Sequence, residues 1–143
     1  MSLFSAIAVG ASGMAAQRAR AEVLVENLAN ADTTRTPEGG PYRRKDVIFE
    51  TRPVAEEFSA IFAGQVGAGG VAVAGVITDT SDPERRYMPG HPDADADGYV
   101  AFPRVNPAED MVDLMGAARG YEANVAAISA VKDMIQRSID LLR

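Results

Sequence analysis

Four residues in one short string offer the only metal-like chemistry in the chain. Asp93, Asp95, Asp97 and Gly98 match positions 1, 3, 5 and 6 of an EF-hand calcium loop, with Val100 at the apolar position 8. A calcium ion needs six to eight oxygens, and in that loop a bidentate carboxylate at position 12 completes the shell. Position 12 is Arg104, whose charge opposes a cation, and Pro92 and Pro103 disfavour flanking helices. The string therefore reads as a carboxylate-rich turn closed at Asp97-Gly98, with a calcium-binding regulator using Asp93, Asp95 and Asp97 as the alternative. His91 is the single histidine and the chain has no cysteine, which leaves little for a metal centre, a thiol nucleophile or a Ser-His-Asp triad. No spacing among the carboxylates singles out an acid and a base. No catalytic, cofactor-binding or metal site is expected.

The elements that would position any site lie at the two ends of the chain. In the last quarter, Met111, Leu114, Ala118, Tyr121, Val125, Ile128, Lys132, Ile135, Ile139 and Leu142 recur at alternating steps of three and four. This predicts one long helix from Asn106 to Arg143 with a stripe buried against other helices. Asn106 suits the cap, Pro107 the first helical position and Glu109 a capping box. A helix of roughly 35 residues is about 50 Å long, more than the diameter of a compact domain of this size, so it must find partners. Residues 3–31 repeat the pattern more weakly: Leu3, Gly10, Gln17, Leu24 and Ala31 interleave with Ile7, Met14, Ala21 and Leu28. Asn30 suits a helix end. Gly10 and Gly13 weaken this helix by about 1 kcal/mol each relative to alanine, a cost consistent with close approach of a neighbour. Gly116 and Gly120 suggest the same on the C-terminal helix.

Between the helices the pattern shortens. Residues 32–41 read as a loop, 42–51 and 71–78 as strands, 79–83 as a turn, and 85–88 and 99–102 as short strands. Residues 53–70 read as a short helix carrying Val54, Phe58, Ile61 and Phe62, or as an extended arm, with a glycine-rich linker behind. The expected architecture is mainly α with a small β insert. Two long terminal heptad helices form a coiled-coil-like pair linked by a β-rich middle segment. Residues 1–31 and 106–143 make one helical domain and 32–105 the insert. With 14 basic against 20 acidic residues the net charge is −6, which argues against a nucleic-acid partner. The weakly apolar start lacks the positive region of a secretory signal, and no stretch approaches the roughly 20 apolar residues that span a bilayer. Retention of the N-terminus and no direct membrane insertion are expected.

Ala11-Ser12-Gly13-Met14-Ala15-Ala16-Gln17-Arg18, leading to Asn27-Leu28-Ala29-Asn30-Ala31-Asp32-Thr33, resembles the signature of bacterial flagellar axial proteins of the rod and hook. Ala118-Arg119-Gly120-Tyr121-Glu122-Ala123-Asn124-Val125 resembles their paired C-terminal motif, with Gly120 where a small polar residue is expected. Gly39 to Lys45 and Tyr87 to Val100 are similar to the short proximal-rod members of the family. The resemblance implies a structural, non-enzymatic subunit of the basal-body rod, in the periplasmic space, which polymerises through its terminal helices and passes torque from rotor to distal rod and hook. It implies as partners other copies, other proximal and distal rod subunits, a rotor-adaptor protein and the flagellar type III export apparatus, with export from the cytoplasm and no cleaved signal. It further implies terminal helices that order on assembly. Combined with the heptad stripes, it predicts a subunit interface of Leu3, Ile7, Met14, Leu24, Leu28, Asn30, Met111, Leu114, Tyr121, Asn124, Val125, Ile128, Ile135, Ile139 and Leu142. A closed helical hairpin acting as a soluble adaptor is the rival.

Overall fold

The computed structural model describes residues 3–53 and 69–141. The segment 54–68, with its helix-or-arm expectation, and Leu142 lie outside the described residues. The chain forms helix α1 (Leu3–Ala29), strands β1 (Lys45–Pro53), β2 (Gly69–Thr78), β3 (Glu84–Tyr87) and β4 (Tyr99–Phe102), and helix α2 (Pro107–Asp140). Mainly α with a small β insert is the architecture observed. No helix among the described residues is long and apolar enough to cross a membrane.

Helix α2 starts at the position its capping signals specify. Asn106 is extended, its side chain accepts from the Ala108 amide at 3.2 Å, and Pro107 occupies the first turn with Glu109 and Asp110. The carboxylates there favour the positive end of the helix dipole. Helix α1 closes at Asn30, whose Nδ2 donates to Glu26 O at 2.9 Å while its Oδ1 accepts from Thr33 Oγ1 at 3.2 Å.

The insert consists of two antiparallel ribbons. Strands β1 and β2 pair from Lys45↔Thr78 to Pro53↔Gly69 with a bulge between Ile48 and Phe49, and β3 pairs with β4 from Glu84↔Phe102 to Tyr87↔Tyr99. A two-stranded ribbon is marginal alone in water. The first is supported by α1: Ser12 Oγ accepts from the Val71 amide at 3.1 Å, tying the helix to β2. Strand β1 begins three residues later than its composition suggests, because Tyr42 is withdrawn into the interior at 8% exposure.

The two helices lie side by side and antiparallel. Gly10 faces Ile128, Gly13 faces Asn124, Gly120 faces Gln17, and Arg20 meets Asp113 at 3.4 Å. Along α2 the residues shielded from solvent are Asp110, Asp113, Leu114, Ala117, Gly120, Asn124, Ile128, Val131 and Ile135. This face is offset by about one residue, roughly 100° of rotation, from much of the predicted stripe. Leu114, Ile128 and Ile135 belong to both sets. Met111, Tyr121, Val125 and Ile139 instead stay exposed at 51%, 39%, 41% and 51%. The two terminal helices therefore pair as expected, but along a contact turned away from much of the stripe. Glycines set against Ile128 and against the amide side chains of Asn124 and Gln17 allow the close approach.

Candidate assembly surface

The junction where the C-terminal end of α1, the start of β1 and the start of α2 converge is held by polar groups. Asn27 is fully buried. Its Nδ2 donates to Lys45 O at 2.8 Å, and its Oδ1 accepts from the Lys45 amide at 2.9 Å and from the Tyr42 hydroxyl at 2.9 Å. One side-chain amide thereby imitates a neighbouring strand for Lys45. Leaving those groups unpaired inside the protein would cost about 1 to 3 kcal/mol each. Burial, reinforced by the negative charges of Glu26 and Asp110, pushes the Tyr42 phenol up to about 12.

Asp110 completes the junction from the α2 side. Its side chain is buried, and Arg44 Nη1 stands 3.0 Å from Oδ1. The angle is unfavourable for a hydrogen bond, and neither carboxylate oxygen finds another donor, so the contact is a charge pair alone. Desolvation raises the Asp110 carboxyl above its ordinary range, and Arg44 opposes that shift. Around this core, Lys45 pairs with Glu26 and Arg44 also reaches Asp46 at 3.4 Å.

Beyond the junction the helices hold each other by proximity. A Cβ added to Gly13 would stand 2.8 Å from Asn124 Oδ1, and one added to Gly10 would stand 2.9 Å from Ile128 Cγ1. At Gly120 it would meet Gln17 Cδ at 3.1 Å. At Gly116 it would meet nothing within 4 Å, so of the two glycines in that pair only Gly120 serves this contact. Asn124 holds its position by donating to Gly120 O at 2.8 Å.

Beside this contact runs an open valley. Its floor and walls at mid-length are Gln17, Ala21, Ala117, Ala118 and Tyr121, with Arg18 and Glu122 on the rim, enclosing about 320 Å³. The exposed predicted residues continue it in both directions: Met111, Val125 and Ile139 on α2, and Leu3 on α1 at 42% exposure. Ile7, Met14, Leu28 and Asn30 are half-buried, and so are Leu114, Asn124, Ile128 and Ile135. Leu24 is buried inside the molecule at 5% exposure. The predicted set is therefore divided between the inside of the helix pair and its unoccupied flank. Sequence reasoning omitted Asn27, Tyr42, Arg44 and Asp110. Asn27 follows Glu26 and precedes Asn30 in the last turns of α1, so no local pattern set it apart.

The acidic string has a different geometry from a calcium shell. Asp95 Oδ1 accepts from the Tyr99 amide at 2.8 Å and the Asp97 amide at 3.0 Å, and its other oxygen meets Arg85. The Tyr99 amide, with Arg85 and the Asp97 amide behind it, holds the Asp95 carboxyl below its usual range. Asp93 accepts from Thr34 Oγ1 at 2.8 Å and pairs with Arg35 at 3.2 Å, joining this loop to the one after α1. Gly98 turns the chain at φ +81°, where a Cβ would stand 2.9 Å from Tyr87 Cε2. His91 Nδ1 accepts from the Asp93 amide at 3.1 Å, a local loop contact. The carboxylates of Asp93 and Asp95 thus engage amides, a hydroxyl and arginines. Among the described residues no group of three potential ligands gathers in a metal-binding arrangement.

Antiparallel terminal helices with greasy flanks and a polar junction define a building-block protein. Consistent with that, residues 7–35 match the family described as flagella basal body rod protein, and residues 96–141 match the flagellar basal body rod FlgEFG protein C-terminal family. The chain is 41% identical to the flagellar basal-body rod protein FlgC of Borreliella burgdorferi, covering 100% of this chain and 99% of that one. It is 43% identical to FlgC of Bacillus subtilis, covering 99% of each, and 39% identical to FlgC of Salmonella typhimurium, covering 99% of this chain and 98% of that one. The chain belongs to the FlgC family of flagellar basal-body rod proteins. It is accordingly a structural component of the flagellar basal body and not an enzyme.

Proposed function

We propose that this chain builds the proximal rod by polymerising through its terminal helices, and that the heptad stripes coil against helices of adjacent subunits to carry torque toward the distal rod and hook. Residues 1–31 and 106–143 form the axial domain, and 32–105 the outer insert. The observation that carries this reading is the apolar flank of the helix pair. Fully covering one Leu, Ile, Val or Met side chain contributes about 1.5 to 3 kcal/mol, and Leu3, Met111, Tyr121, Val125 and Ile139 are all uncovered in the single chain. Subunits that repeat by a non-closing operation give a filament, the arrangement a drive shaft requires.

In this reading the partners are further copies, the other proximal and distal rod subunits and the rotor-adaptor protein. Passage through the type III export apparatus, without a cleaved signal, delivers the chain to the periplasmic space. Burial by neighbours then orders the helices fully, since a partner that binds only the ordered state stabilises it by mass action.

The test replaces Val125 and Ile139, both on the uncovered flank, by Asp together. Swimming and incorporation into isolated basal bodies should both be lost while the chain is still secreted. Normal swimming by the double variant would overturn the proposal.

A further inference from the structure

Helix α2 has a third face, roughly opposite its contact with α1. Val112, Met115, Gly116, Ala123, Ala130 and Met134 lie along it, and all are exposed. The large ones are open at 68% for Val112, 57% for Met115 and 49% for Met134. Gly116 weakens the helix, yet its missing side chain makes room for nothing inside this chain. Arg119 stands in the middle of the same face, and Glu122 stands on the rim of the valley. Neither forms an ion pair among the described residues.

We infer that the back of α2, centred on Gly116 and Arg119, seats in the α1–α2 valley of a second copy, with Arg119 of one copy beside Glu122 of the next. This rests on the proposed assembly through the terminal helices and specifies which two faces meet. The valley is the open side of the contact between α1 and α2, floored by alanines, so a helix entering it extends an interface that already exists. The shape of the back suits this entry, because Gly116, Ala123 and Ala130 recur every seven residues on it and leave a shallow groove in which two helix axes can come close. The two faces differ in shape and charge, so each copy offers both and neither is self-complementary. Such head-to-tail contacts propagate instead of closing into a pair.

The chain has no cysteine, which makes the pairing directly testable. Two versions, Ala118→Cys in the valley and Met115→Cys on the back, are expressed separately and together in cells lacking the natural protein, and isolated basal bodies are oxidised. The expected result is a disulfide-linked dimer when both versions are present and none from either alone. Dimers from Ala118→Cys alone, or no dimer in any sample, overturn the face pairing. The wider assembly reading survives that result if the chain is present in the basal bodies; absence of the unsubstituted chain from them overturns both.

A second variant, Gly116→Trp, separates folding from assembly. Its melting temperature as an isolated chain should equal or exceed that of the parent, because the site is open and tryptophan favours a helix more than glycine does, while its amount in basal bodies falls at least tenfold. Incorporation at the parental level overturns the inference.

Discussion

The junction around Asn27 and the distal half of the helix pair are built on opposite principles. At the junction, buried polar groups are held by specific partners: an amide replaces a strand for Lys45 and a phenol caps the amide, while the buried Asp110 has the charge of Arg44 beside it but no hydrogen bond. Toward the far end, beyond Ala117, no residue of α2 is fully buried, while Tyr121, Val125, Met134 and Ile139 stay open to solvent. The contrast teaches where the chain is complete by itself and where it awaits neighbours. Directional bonds specify one arrangement within a single molecule, whereas the non-directional hydrophobic effect can be satisfied by any apolar surface that arrives later.

The largest test of that contrast is Asn27→Ala. It strands the Lys45 amide and carbonyl and the Tyr42 hydroxyl, and should cost about 3 kcal/mol or more by chemical denaturation of the isolated chain. A loss near zero would mean that the junction is not the stable part. Next comes pH. The Tyr42 phenol is raised to about 12, so the folded form holds its proton more tightly than the unfolded chain. The stability this group contributes is complete below its unfolded value near 10 and declines as pH rises toward 12, by up to about 2 kcal/mol. Tyr42→Phe should flatten that alkaline slope in denaturation midpoints measured across the range.

A smaller pair of effects divides the helix contact from the free face. Gly13→Ala should lower the melting temperature, because its Cβ would stand 2.8 Å from Asn124 Oδ1. Gly116→Ala should raise it, gaining about 1 kcal/mol of helix propensity with nothing to strike. Equal shifts for both would erase the distinction between the two faces. The smallest effect is expected at the acidic loop. Millimolar calcium should leave both the melting curve and the titration calorimetry baseline unchanged, and Asp95→Ala should shift the melt only slightly, because its ion pair with Arg85 is exposed and the Asp97 and Tyr99 amides that it accepts from are open to water. Micromolar calcium binding lost on Asp95→Ala would reinstate the regulator reading.

Both helices were legible from periodicity, and α2 begins at Pro107 because Asn106 and Pro107 are strong start signals. The β insert was legible to within a few residues from its valine-rich run and its Pro and Gly punctuation. The orientation of the helices was not. Hydrophobic periodicity finds the greasiest face, but beside Ile128 the α1–α2 contact uses Gly10, Gly13, Gln17, Gly120 and Asn124, of which only the glycines, as points of close helix approach, were legible. Asn27 was illegible for a related reason. An asparagine in a helix ordinarily points to solvent, and the backbone that it pairs with arrives 18 residues later. Asp110 is a first-turn carboxylate of the kind common at helix starts, and only the fold brings Arg44, just before β1, against it.

The antiparallel course of α1 and α2 has a practical side. Leu3 and Asp140 emerge at one pole, where Gly10 already faces Ile128, and the Asn27 junction occupies the other. A fluorescent or affinity label fused at either terminus would therefore crowd the same spot on the shaft. The turn at Gly39 and Gly40, whose glycines have nothing within 4 Å of an added Cβ, offers a better berth for a reporter that must ride on a working motor.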